Sequence, residues 1–231
     1  MRQNWLAWPK ILWPLAFVLI LLVGLLARSF VHLPRHPIRD PTAAAASTSP
    51  VQPGPPWIYG QTDARFTVVE YADLECPYCQ AYFPILKRWI DANPEVNWQW
   101  HHLPLGMHEP ATTREARMAE CAGAVGGHVA FWQAVGWIYL HTRSDGQGLP
   151  GDAKLPFQTP ALQACLDSTR ADAVIHAEAE DAARDAIAAT PTLRLVDHQT
   201  AKTLVLHGPV DEDVLLSAID MLAKPSGDTQ P

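Results

Sequence analysis

Hydrophobic and polar positions alternate in several distinct rhythms along this chain, and each rhythm predicts an element. Ile11 to Ala27 is an apolar run without a charge, 17 residues long and with no polar face. Val31 to Pro56 carries seven prolines around an Ala/Ser/Thr patch and has little to bury, so it reads as an extended linker. At ~3.1 Å per residue such a linker reaches up to roughly 80 Å. Phe66-Thr67-Val68-Val69-Glu70-Tyr71 is β-branched and mostly apolar, the pattern of a central strand buried on both faces. Pro77 to Asp91 follows at helical spacing, with Phe83, Leu86 and Ile90 on one face and Pro84 as a kink. Val96 to His102 returns to a period of two, placing Val96, Trp98, Trp100 and His102 together. His101 and His102 read as exposed residues at the strand's end.

From Ala111 to Ala189 the pattern is helical. Thr112–Val125 and His128–His141 are expected as two helices separated by Gly126-Gly127, followed by a polar loop from Thr142 to Gly151. Thr159-Pro160 opens a short helix over Leu162, Cys165 and Leu166. Asp172–Ile187 carries the stripe Val174, Ile175, Ala179, Ala182 and Ala186. Thr192–Val196 and Thr203–His207 form a hairpin. Asp211 caps a last helix with Val214, Leu215, Ala218, Ile219 and Leu222 inward. The order strand, helix, strand, helical block, hairpin, helix predicts an α/β domain with a helical insertion at about 111–189.

The expected organisation is a signal anchor or transmembrane segment at 1–30, a Pro-rich linker at 31–56, the folded domain at 57–224 and a disordered tail at 225–231. Residues 11–27 sit at the short end for a bilayer span and exceed the usual core of a cleaved signal peptide. Trp5, Trp8 and Trp13 cluster at one end like an interfacial belt. An uncleaved anchor is the favoured reading. A cleaved signal peptide and a buried soluble helix are the alternatives. Either exporting reading puts the domain on the extracytoplasmic, periplasmic side of the cytoplasmic membrane, with a single pass if uncleaved. A net charge of −7 argues against nucleic acid as a partner, and 48 % hydrophobic residues suffice for a core.

The candidate chemistry lies at Cys76-Pro77-Tyr78-Cys79, where the strand gives way to the helix. A thiol at a helix N-terminus faces unpaired N–H groups and the positive end of the dipole, which favour the nucleophilic thiolate. Half a zinc site and an inert pair are the other readings. A zinc site needs a second ligand pair, whereas Cys121 and Cys165 stand far apart and His101 and His102 point to opposite faces. No metal and no cofactor is expected. Glu70, six residues before Cys76, is anomalous in a central strand. It reads as a buried acceptor for the Cys79 proton, or as an outward or ion-paired side chain. Cys121 and Cys165 lie in apolar stripes of the helical block; they form a structural disulfide, or they are two buried thiols.

Together, Glu70, the Cys76–Cys79 motif, Pro84, the stretch Leu103–Ala111, Phe131-Trp132 and Thr190-Pro191-Thr192 resemble the DsbA family of the thioredoxin superfamily, over roughly Trp57 to Ala223. The resemblance implies a thioredoxin fold with an inserted helical subdomain. It also implies a cis Pro191 beside the cysteines, where a helix-stop proline is the plain alternative, and an edge at Thr190 that pairs with extended substrate. It implies a protein thiol-disulfide oxidoreductase acting on exported proteins with cysteines, reset by a membrane or periplasmic redox partner. The Pro77-Tyr78 pair is also found in DsbG-like proteins, so an isomerase or reductase remains open, as does a non-catalytic metal-handling module using both thiolates. Tyr78 supplies no imidazolium, which implies a milder lowering of the Cys76 pKa than in the strongest oxidants of the family.

Overall fold

The computed structural model describes residues 54–151 and 153–224. The apolar run at 11–27, most of the linker and the 225–231 tail lie outside the described residues. Among the described residues, no helix is long and apolar enough to cross a membrane.

Five strands form one sheet: β1 (Ile58–Tyr59), β2 (Phe66–Ala72), β3 (Val96–His102), β4 (Thr192–Asp197) and β5 (Thr203–His207), in the order β1-β3-β2-β4-β5. β2 runs parallel to β3 and antiparallel to β4, and every one of its seven residues is buried. A parallel neighbour requires a crossover, and α1 (Pro77–Ala92) provides it. β1 was not anticipated; two residues are too short to carry a period, and the strand exists by pairing with Trp98 and Gln99.

The period of two on β2 sorts its side chains. Val68 and Ala72 join the main core with α1 and α2 (Ala111–His141), whereas Val69 and Tyr71 join Leu103, Ala182 and Ile187 on the opposite face. Glu70 shares the parity of Val68 and Ala72, so its carboxyl enters the main core.

Helices α2, α3 (Pro160–Leu166) and α4 (Arg170–Arg184) form the block between β3 and β4. The two helical stretches expected around Gly126-Gly127 meet at Gly127, whose φ of 70° is open to glycine; Gly126 stays helical. Gly123 lets the block close on the sheet, because a Cβ there would stand 2.6 Å from the Trp57 ring. Thr159 caps α3 by accepting from the Leu162 amide at 3.1 Å. Cys121 and Cys165 form a disulfide that joins α2 to α3.

Several burial expectations need correction. His101 and His102 are buried, not exposed, because α4 covers the end of β3. The Trp100 indole donates to His102 Nδ1 at 3.0 Å, which leaves Nε2 to donate to Glu120 at 3.1 Å. α4 ends at Arg184, and Ala186 is an exposed residue with φ 56°, outside the buried stripe. On α5 (Glu212–Ala223), Leu215, Ala218, Ile219 and Leu222 are buried but Val214 is exposed, since this short helix presents one narrow face to the sheet. Asp211 occupies the N-cap position without a capping bond. On α1 the buried face is Cys79, Tyr82, Leu86, Trp89 and Ile90, with Phe83 at its margin and Pro84 outside it.

Candidate active site

The site begins with a loop pinned at Asp73. Its fully buried carboxylate accepts from the amides of Glu75 and Leu105 at 2.7 Å each, from Thr112 Oγ1 at 2.8 Å, and stands 2.9 Å from His108 Nδ1. Its carbonyl accepts from the Cys76 amide at 3.1 Å. Asp73 thus ties β2, the turn after β3 and the start of α2 to the backbone that delivers Cys76.

Cys76 is the N-cap of α1 in extended geometry, and Pro77 takes the first helical position, where no donor is needed. Both cysteines are free thiols. Cys76 is only 3 % exposed, against 66 % for Tyr78, so the tyrosine carries the solvent face of the motif. Cys76 Sγ stands 3.5 Å from the Thr190 carbonyl, and the Thr190-Pro191 bond is cis. The Thr190 hydroxyl is buried with no partner among the described residues, free to turn toward a thiolate.

The two thiols are driven apart electrostatically. The Cys76 thiol is lowered to about 6, chiefly because the Cys79 thiol donates a hydrogen bond to it. Burial opposes this, while the Thr190 side chain and the Cys79 and Tyr78 amides assist. Cys79 is pushed well above its ordinary value by burial, by the Cys76 contact and by the charge of Glu70. The sequence reading credited the helix terminus alone; the partner thiol contributes more, and α1 contributes through individual amides.

Beneath Cys79 lies Glu70, 1 % exposed. Burial raises it to about 8 against the Trp98 indole, which lowers it, and the Cys76 charge raises it further. Its Oε2 and Trp98 Nε1 are both buried without a conventional hydrogen bond. Burial thus favours the protonated form of Glu70, and its charge, when present, is felt at Cys79. Glu70 is neither outward-facing nor, among the described residues, ion-paired.

A family model described as "Thioredoxin" matches residues 52–221. The chain belongs to the thioredoxin family. Within that family it is similar to Pseudomonas aeruginosa DsbA2, whose crystal structure is 45 % identical, with a TM-score of 0.69 over 73 % of this chain and 94 % of that one. This places it among the DsbA-type thiol-disulfide oxidoreductases, and the fold is the thioredoxin-like α/β fold with its helical insertion. Oxidised BdbD from Bacillus subtilis shares the fold at 19 % identity, with a TM-score of 0.57 over 72 % of this chain and 91 % of that one. A curated relative, "Na(+)/H(+) antiporter NhaA 1" of Salinispora arenicola, is 30 % identical over 148 residues. The match covers 62 % of this chain and only 22 % of that protein's length.

In this thioredoxin-family domain the structure gathers Glu70, Cys76, Pro77, Tyr78, Cys79, Thr190 and Pro191 at one place, and sets Cys121 and Cys165 apart in the helical block. Sequence reading missed Asp73, Gln80 and Tyr139. Gln80 Nε2 donates to the Tyr139 carbonyl at 2.6 Å, and Tyr139 Oη donates to the Asp73 carbonyl at 3.1 Å. An aspartate three residues before a helix N-cap was the one visible signal. The Tyr139 link depends on folding and leaves no mark in the sequence.

Proposed function

We propose that this chain is a membrane-anchored thiol:disulfide oxidoreductase that exchanges disulfides with exported protein substrates through Cys76-Pro77-Tyr78-Cys79. Residues 11–27 anchor it in the cytoplasmic membrane, and the domain works on the extracytoplasmic, periplasmic side. The Cys121–Cys165 disulfide supports an oxidising compartment. One observation carries the reading: two free thiols at the start of α1, with Cys76 at the N-cap 3.5 Å from the Thr190 carbonyl beside the cis Pro191 and with Cys79 and Glu70 buried behind it.

In the oxidising direction a substrate thiolate attacks Cys76 Sγ of the Cys76–Cys79 disulfide. The S–S bond breaks, and its electron pair leaves on Cys79. Glu70 gives its proton to the Cys79 thiolate, which burial makes costly as an anion. A second substrate thiolate attacks the substrate sulfur of the mixed disulfide, and Cys76 leaves as the stabilised thiolate. The substrate gains a disulfide and the enzyme holds two electrons, which a membrane or periplasmic redox partner removes. Thr190 stabilises the Cys76 thiolate, and Pro191 holds that segment against it. A thiolate near 6 is a better leaving group than an ordinary cysteine, which favours the oxidising direction.

Expression of Cys79→Ser in cells tests this. Substrates should accumulate as mixed disulfides on Cys76 and disappear on reduction. No trapped species with Cys79→Ser, together with full function of Cys76→Ser, would sink the proposal.

A further inference from the structure

The Thr142–Gly151 loop reads as polar surface, yet Thr142, Ser144, Gly148 and Leu149 are buried. Two carboxyl groups far apart in sequence account for this. Glu75, immediately before Cys76, is fully buried; its carboxylate accepts from the Thr142 hydroxyl and from the Gly148 amide at 2.8 Å. Its carbonyl accepts from Ser144 Oγ at 2.9 Å and from the Asp145 amide at 2.7 Å. Glu115 on α2 is equally buried, and its Oε1 accepts from the Leu149 amide at 2.9 Å. Its Oε2 has no hydrogen bond among the described residues, and the two carboxyls meet at consecutive amides of the loop, Glu75 at Gly148 and Glu115 at Leu149.

Two ionised carboxyls have only acceptors and cannot bond to one another. A single proton resolves this. Glu75 receives two donors, whereas Glu115 receives one and has Oε2 buried without any, so Glu115 is the member that keeps the proton. We infer that Glu115 is a positioning residue for the redox site: sharing one proton with Glu75, it pins the Ser144–Leu149 loop onto the residue that precedes Cys76. The consequence at Cys76 rests on the redox reading above; the clamp itself does not.

The surrounding charges do not supply a second counter-ion within the clamp. Arg114, on the same helix as Glu115, packs against Gly148, where a Cβ would come within 2.7 Å of its guanidinium. It lowers Glu115, yet burial and Glu75 push that carboxyl up to about 9. His108, from the turn after β3, is engaged by Asp73, and its other ring nitrogen stands 4.0 Å from the exposed Asp145 of the loop. Losing the shared proton leaves two adjacent buried anions. The loop then detaches, the Glu75 carbonyl loses two bonds, and Cys76 loses its fixed approach to Thr190.

Trypsin reads the clamp without involving a thiol, because exposed Arg143 is followed by the pinned Ser144. Glu115→Gln in the full chain keeps a donor for Glu75 and an acceptor for Leu149 but cannot ionise. A carboxyl with its midpoint near 9 passes from about one-tenth to about nine-tenths ionised between pH 8 and pH 10. Cleavage after Arg143, taken as the ratio of wild type to Glu115→Gln, should rise about tenfold over that range. A constant ratio overturns the inference. An assigned carbon NMR titration of Glu115 in the wild type gives an independent readout, and a midpoint near 4.5, its ordinary value, also overturns it. Either failure leaves the Cys79→Ser trapping result untouched, so the two readings fall separately.

Discussion

Glu70→Leu separates the cost of the buried carboxyl from its use. Glu70 is raised from 4.5 to about 8, chiefly by burial. Between those values the folded protein holds a proton that the unfolded chain has released. Stability on this group's account therefore falls as pH rises, by up to about 1.4 kcal/mol per pH unit. The penalty is about 1 kcal/mol at pH 5 and about 3 kcal/mol at pH 7. Leucine is apolar and similar in size, and the surrounding core is Val68, Ala72 and Trp98, so the penalty should vanish. Urea denaturation with the Cys76–Cys79 pair reduced should show the variant gaining about 2 kcal/mol on the wild type between pH 5 and pH 7. The same variant should release Cys79 more slowly from its disulfide at neutral pH. Stability profiles that stay parallel from pH 5 to pH 8 would refute the reasoning, because they would mean that Glu70 titrates normally.

Other outcomes follow from the same geometry. Thr190→Val removes a hydroxyl that favours the Cys76 thiolate, so the midpoint of Cys76 alkylation should move up; an unchanged midpoint would exclude that role. Cys121→Ala with Cys165→Ala opens a loop of 44 residues and should cost about 4 kcal/mol in thermal or urea unfolding; no loss would mean that the bridge adds nothing to the folded state. Asp73→Ala strands the buried donors of Leu105, Thr112 and Glu75 and should cost about 3 kcal/mol or more in urea unfolding; a loss below about 1 kcal/mol would show that Asp73 does not hold the loop.

Much of the fold was legible because its elements repeat at unambiguous periods. The all-apolar β2, the alternating tryptophans of β3 and the Thr159-Pro160 cap carry their structure in a few adjacent residues. The motif and Glu70 were legible for a related reason, as each breaks a local rule: two cysteines at a helix start, one acid in a buried strand. What escaped depends on distant partners. The expectation that His101 and His102 lie on the surface failed because helix α4, far along the chain, covers them. Glu75 and Glu115 look like ordinary solvent-facing acids until α2 and the Thr142–Gly151 loop fold over them. Val214 and Ala186 sit at helix ends, where period alone cannot say how far burial extends. Cys76 was expected to be lowered by its helix terminus, whereas the largest contribution comes from Cys79, a neighbour visible in the motif whose effect was not assigned.

The central claim is that Cys76 is an activated thiolate beside an inert partner. Iodoacetamide labelling of the reduced protein, resolved by cysteine with mass spectrometry across pH, tests it most directly. Half-maximal labelling of Cys76 near pH 6, with Cys79 unlabelled throughout the neutral range, is the predicted result. Equal labelling of both cysteines with a common midpoint near 9, the ordinary thiol value, would contradict it.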